Sequence, residues 1–235
     1  MKTKLFTVSL IGMALFFVSC EPKPVQPEQE KAIVETMFQC LNTTSDQCDA
    51  KLTGLGLYHV GHYAFSPFVY DSYSNLNNSS DKDYLDKILV GVTFENNIFH
   101  RVEYSRYMNN DTNPSSRYKL LSDQIAAWGY SDWHGYYDDD AEEYITPAAV
   151  EGQFPATAQI AKDRKDLCEH IKNDCLFDPN TTQYYGETFI YTHSDGSKWN
   201  GLLVIYTNAY YSGIEEGSKD KTKDISLSFS LERIQ

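Results

Sequence analysis

The chain has 235 residues, with 20 Lys and Arg against 33 Asp and Glu, and a formal net charge of -13. So acidic a chain is a poor partner for nucleic acid, which rewards Lys and Arg with counterion release, and for an anionic membrane surface. Aromatics make up 14%, with 18 Tyr, 12 Phe and 3 Trp. That is too much packing material for a disordered chain, and it suits strands.

In chain order, Lys2 and Lys4 precede an apolar run from Leu5 to Val18, and the small Ser19 stands directly before Cys20. A positive start, a short apolar core and a small residue at its end form the layout of a secretory signal. The run is too short to span a bilayer core, which needs roughly 20 residues. With Phe17-Val18-Ser19-Cys20 it resembles the lipoprotein signal of bacteria, although Phe17 stands where that family usually carries Leu. The resemblance implies cleavage before Cys20 and acylation of its thiol and new amine, with palmitate-type chains holding the protein on a membrane. Loss of Lys2 and Lys4 takes the formal charge from -13 to -15, so lipid must do the anchoring. More than one acyl chain is required for that, because a single chain binds only marginally. In enterobacterial lipoproteins an Asp after the cysteine signals inner-membrane retention. Glu21 stands here, which implies the outer membrane of the cell envelope.

Residues 1–19 thus read as a signal peptide and residues 20–29 as the lipidated cysteine with a tether. Pro22, Pro24 and Pro27 favour extended polyproline II, a spacer of roughly 25 to 30 Å. Residues 30–235 read as a single globular domain.

Glu30 to Leu41 carries Ile33, Val34, Met37 and Leu41 at helical spacing, and Asn42 suits its stop. Asp46 to Thr53 reads as a loop. Gly54 to Tyr73 is aromatic without a clean period, which predicts one or two irregular strands. His59 and His62, three apart, fall on opposite faces of a regular strand. They share a site only if the segment bends. Ile88 to Tyr107 reads as a hairpin around Asn96-Asn97. A three-residue loop pairs Val92 with Val102 and Val90 with Tyr104, leaving Thr93, Arg101 and Glu103 on the wet face.

Asn113 to Gly129 predicts a helix with Tyr118, Leu121, Ile125 and Trp128 inward. Thr146 to Gly152 reads as a short helical turn. Pro155 to Asn173 reads as the longest helix, with Ile160, Leu167 and Ile171 inward. Glu187 to His193 and Lys198 to Tyr210 flank the hairpin signal Asp195-Gly196. Ile225, Leu227, Phe229 and Leu231 alternate with serines as a half-buried strand. The expected fold is α+β, antiparallel β hairpins packed against about three helices.

Four cysteines follow Cys20. An even number in an exported chain suggests two disulfides, with Cys40–Cys48 and Cys168–Cys175 as the local pairing. A continuous helix through Cys168 would hold its partner about 10 Å away, beyond bridging reach. Zinc is disfavoured, because these spacings are not the short C-x2-C of zinc modules. A faint echo of helix, cysteine, cysteine and tyrosine at an offset of 127 or 128 is too thin to stand as a repeat.

The stretch from Trp128 to Tyr144 combines rings and acids. Trp128, Trp133, Tyr136 and Tyr137 are the candidate ligand-binding residues, for glycan by ring stacking or for an envelope protein by aromatic anchoring. A connecting loop folding its rings onto the core is the plainer reading. Asp138 to Asp140 lacks the alternating acids and central Gly of a calcium loop. No motif marks a hydrolase, a zinc protease or a nucleotide site, and no cofactor is expected. The sequence therefore points to a lipid-anchored envelope protein that binds glycan or protein without chemistry. A carboxylate-dependent hydrolase and a structural envelope component are the alternatives. Two acids facing across an open cleft would favour the hydrolase, and a flat aromatic platform would favour binding.

Overall fold

The computed structural model describes residues 26–77, 87–107, 114–141, 158–174, 182–211 and 221–234. The signal stretch, Cys20, most of the proline tether, Cys175 and the Thr146–Gly152 turn lie outside them.

Helix α1 (Pro27–Cys40) opens on proline, whose fixed φ suits a first helical turn. It buries Ile33, Val34, Met37 and Phe38, and Asn42 beyond it takes a left-handed φ of 60°. Residues 46–53 are not a loop. They belong to helix α2 (Ser45–Gly54), started by a capping box in which Thr44 and Gln47 exchange side-chain and backbone bonds. Only Cys48 and Leu52 of α2 are buried, so its apolar stripe is too thin to register as helical period.

Strands β1 (Tyr58–Phe65), β2 (Phe68–Ser74), β3 (Ile88–Glu95) and β4 (Ile98–Tyr107) form an antiparallel meander. The β3–β4 register pairs Val92 with Val102 and Val90 with Tyr104, as expected. The turn itself is shorter, since Glu95 pairs with Ile98 and a bulge after Thr93 takes up the extra residue. Asn96 and Asn97 both adopt positive φ, as a two-residue hairpin turn requires. Helix α3 (Pro114–Trp128) follows, with Tyr118, Leu121 and Ile125 buried.

Most of the aromatic-acidic stretch is a strand, β5 (Ser131–Ala141), paired with β7 (Thr182–Thr192) on one side and with β6 (Gln159–Ala161) on the other. The long helix expected from Pro155 is a short one, α4 (Arg164–Asp174), preceded by β6. Leu167 and Ile171 are buried, but Ile160, on the edge strand, is 71% exposed. Strands β8 (Lys198–Tyr211) and β9 (Lys221–Arg233) are the last described elements.

The expected α+β fold, antiparallel hairpins packed against about three helices and stapled by disulfides, is therefore corrected. Among the described residues nine strands form one sheet, in the order β1-β2-β3-β4-β9-β8-β7-β5-β6, and four helices cover one of its faces. Local pattern exposes hairpins, but the β4–β9 and β5–β7 ladders that fuse them leave no local trace. Leaving out the short β6, the order reads alike from both ends: a four-strand run from each half meets at β4–β9. The 127-residue echo does not follow this correspondence, since it sets Tyr58 of β1 against Tyr185 of β7, whereas β5 occupies the place of β1.

No disulfide forms among the described cysteines. Cys40, Cys48 and Cys168 are free thiols. Cys40 and Cys48 are neighbours in the core, where contact with Cys40 and burial push the Cys48 thiol far up. Cohesion comes instead from one core shared by the helices and the covered sheet face, including Trp199, Tyr104, Phe229 and Leu231.

Two buried carboxylates tie helices to sheet. Glu30 of α1 is wholly buried; it accepts a hydrogen bond from the Tyr104 hydroxyl, two from Arg106 Nη1 at 3.1 Å, and lies 3.6 Å from Arg117 Nη1. Glu187 of β7 accepts from the Ser122 hydroxyl of α3 and from Trp133 Nε1 of β5 at 2.6 Å, with Arg164 Nε of α4 at 3.7 Å.

Candidate functional site

The four rings singled out between Trp128 and Tyr144 do not share a surface. Trp128 packs on Phe38 with centroids 3.7 Å apart. Trp133 and Tyr137 lie on the helix-covered side of β5, Trp133 bonded to Glu187, and Tyr137 stacked on His170 at 3.7 Å with its hydroxyl donating to Gln159. Tyr136 lies on the opposite side, against the small cluster of Tyr184, Val204 and Tyr206. Strand alternation separates them. Among the described residues, no group of three or more His, Cys, Asp and Glu is arranged to hold a metal.

Exposed rings gather elsewhere, on the β1–β2 hairpin at the sheet edge. Tyr63 is 60% and Phe65 57% exposed. Their direct cross-strand partners are Tyr70 and Phe68, which pair with them across the Ser66-Pro67 turn. Centroid separations are 6.2 Å for Tyr63–Tyr70 and 5.9 Å for Phe65–Phe68, with interplanar angles of 38° and 42°. Residues directly opposite in an antiparallel pair share a face, so the four rings make one ledge on the helix-free side.

Two glycines let the tyrosine rings lie down on the sheet. A Cβ on Gly91 would stand 2.6 Å from the Tyr70 hydroxyl and 2.8 Å from its Cε2, and one on Gly61 would stand 3.0 Å from Tyr63 Cε2. Polar groups flank the rings. The Tyr70 hydroxyl donates to Glu103 Oε1 at 3.4 Å, and Arg101 pairs with Glu103 at 3.1 Å. Burial and the Glu103 charge push the Tyr70 phenol up to about 12, so it remains an uncharged donor across the physiological range.

A bulge sets this edge. His59 pairs with Tyr73 and Gly61 with Ser72, leaving Val60 as the extra residue. The extra residue puts His59 and His62 on the same face after all. Both reach one oxygen of the buried Asp71, His59 Nε2 at 3.1 Å and His62 Nδ1 at 2.7 Å, while Ser45 of α2 donates to its other oxygen at 3.4 Å. The two imidazoles brace β1 on β2, and Ser45 ties the hairpin to α2 behind the ledge.

The ledge escaped sequence reasoning because the bulge breaks the two-residue period. A signal was present in Tyr63-Ala64-Phe65 and Phe68-Val69-Tyr70, which mirror each other across Ser66-Pro67.

No family model, curated protein or solved structure matches this chain.

Proposed function

We propose that this is a lipid-anchored envelope protein that binds glycan, without chemistry, through the β1–β2 ledge. The observation that carries the reading is the ledge itself: four rings on one face, two of them more than half exposed, beside a carboxylate and a guanidinium. Rings of this kind cover the apolar faces of sugars, while Glu103 and Arg101 accept from and donate to hydroxyls. The Ser19-Cys20 signal and the proline tether support an anchored, outward-held position for such a surface.

A carboxylate-dependent hydrolase draws less support. Its general acid must keep a proton near neutral pH. Of the acids lining the cleft between α3 and α4, Asp123 moves the other way. Burial pushes it up, but hydrogen bonds from Lys119 and Arg164 outweigh this and hold it below the usual range.

Two experiments test the proposal. Cys20→Ala is expected to move the protein from the detergent phase to the aqueous phase; retention in detergent refutes lipid anchoring. On a glycan array followed by calorimetry, Tyr63→Ala with Phe65→Ala is expected to weaken binding about 30-fold, the effect of losing a binding hot spot of ~2 kcal/mol, with the melting temperature unchanged. Unaltered glycan affinity refutes the ledge. Failure of the wild type to bind any glycan, with a stoichiometric envelope protein co-purifying, replaces the reading with a structural one.

A further inference from the structure

A sheet that does not close on itself has two edges, here β1 and β6. They are unlike. Strand β6 has three residues and runs at once into Lys162-Asp163-Arg164, the short, charged kind of edge that refuses further strands. Strand β1 has eight residues and no neighbour on its outer side among the described residues. It contains no Asp, Glu, Lys, Arg or Pro, although 23% of the chain is charged. Tyr58, Val60, Tyr63 and Phe65 all lie on it, each at least 41% exposed. The bulge at Val60 blunts only the start of this edge, since pairing with β2 is regular from Gly61 to Phe65. Nor does α2 cover it, because the His62 side chain is 60% exposed and Ala64 is exposed as well.

Charge and length select the occupant. A charged partner strand finds no countercharge along residues 61–65. Two copies of so acidic a chain repel wherever their acids face each other, and this uncharged edge is where they can meet. Strand β6 is too short to receive β1, so head-to-tail stacking is closed and the matching edge is another β1. A two-fold axis normal to the sheet at Tyr63 sets the two edges antiparallel. Tyr63 then faces its own counterpart, and Phe65 faces Gly61, which has no side chain to obstruct it. Both ring ledges fall on one face of a common sheet.

We infer that β1 is a dimerisation edge: two copies pair antiparallel through residues 61–65, centred on Tyr63, into one continuous sheet. The seam is made by backbone in the plane of the sheet, so it stands whether or not the ring faces above it bind glycan.

The test follows the full chain by sedimentation equilibrium in density-matched detergent. The wild type is expected at twice the chain mass of 26.9 kDa. Ala64→Lys is expected at the chain mass with its melting temperature unchanged, because an edge lysine blocks strand addition and Ala64 is exposed. Tyr63→Cys tests the register. Directly opposed Cβ atoms lie about 5 Å apart, so mild oxidation is expected to link two copies at position 63, identified by peptide mass spectrometry. Phe65→Cys is expected to give no such link, because its counterpart lies four residues along, roughly 14 Å away. A monomeric wild type, a dimer that survives Ala64→Lys, or equal cross-linking at positions 63 and 65 each overturns the inference. So does a stoichiometric complex with a different protein that Ala64→Lys releases.

Discussion

Glu30→Ala is expected to cost about 3 to 5 kcal/mol in urea unfolding, the penalty for leaving a buried partner charge uncompensated. Arg106, only 1% exposed, loses both of its bonds to Glu30, and the buried Tyr104 hydroxyl loses its acceptor. The three partners come from β4 and α3, so one side chain of α1 fixes two other elements. Against a typical total of about 5 to 15 kcal/mol, that is enough to leave much of the protein unfolded. Replacing Glu30 and Arg106 together by Met is expected to recover most of the loss, because a buried pair contributes little over apolar packing. A loss below about 1 kcal/mol for Glu30→Ala would show that water reaches the site.

Glu187→Ala is expected to cost a similar about 3 to 5 kcal/mol, with a different signature. It removes the acceptor of Trp133 Nε1 and of the Ser122 hydroxyl and the carboxylate facing Arg164. The near-ultraviolet dichroism of Trp133 should therefore change even where the variant remains folded. Helix α3 serves both networks, through Arg117 to Glu30 and through Ser122 to Glu187. The double variant should accordingly depart from additivity by more than about 0.5 kcal/mol, the usual margin for independent sites. Strict additivity, measured by the same unfolding curves, would show that α3 does not couple them.

Neither carboxylate could be found in the sequence. Glu30 stands among Glu28, Glu30 and Glu35, and nothing local tells which of them points inward. What could be read was what local periodicity encodes: α1, α3, the β3–β4 register, the Asp195-Gly196 turn and the serine-alternating β9. Helix α2 was hidden by a polar composition, although Thr44-x-x-Gln47 marked its start. Strand β5 was hidden because its acids and rings resemble a loop until β6 and β7 pair with it. Ile160 looked like a helix-core residue, since an apolar side chain two helical turns before Leu167 fits that period whether or not the backbone is helical. The ledge needed a bulge and two glycines, whose effects on side-chain direction appear only once strands are paired.

The position of β9 has a consequence for how the molecule is made. The last strand in chain order lies at the centre of the sheet, between β4 and β8. Until it is synthesised, β4 has only one neighbour, and the two halves of the sheet have no common ladder. The nascent protein must therefore carry an unpaired β4 edge through most of its synthesis, the kind of edge that recruits foreign strands. Closure is a late event between segments far apart in the chain, which slows folding. A chain stopped before Lys221 would have two half-sheets with no ladder between them.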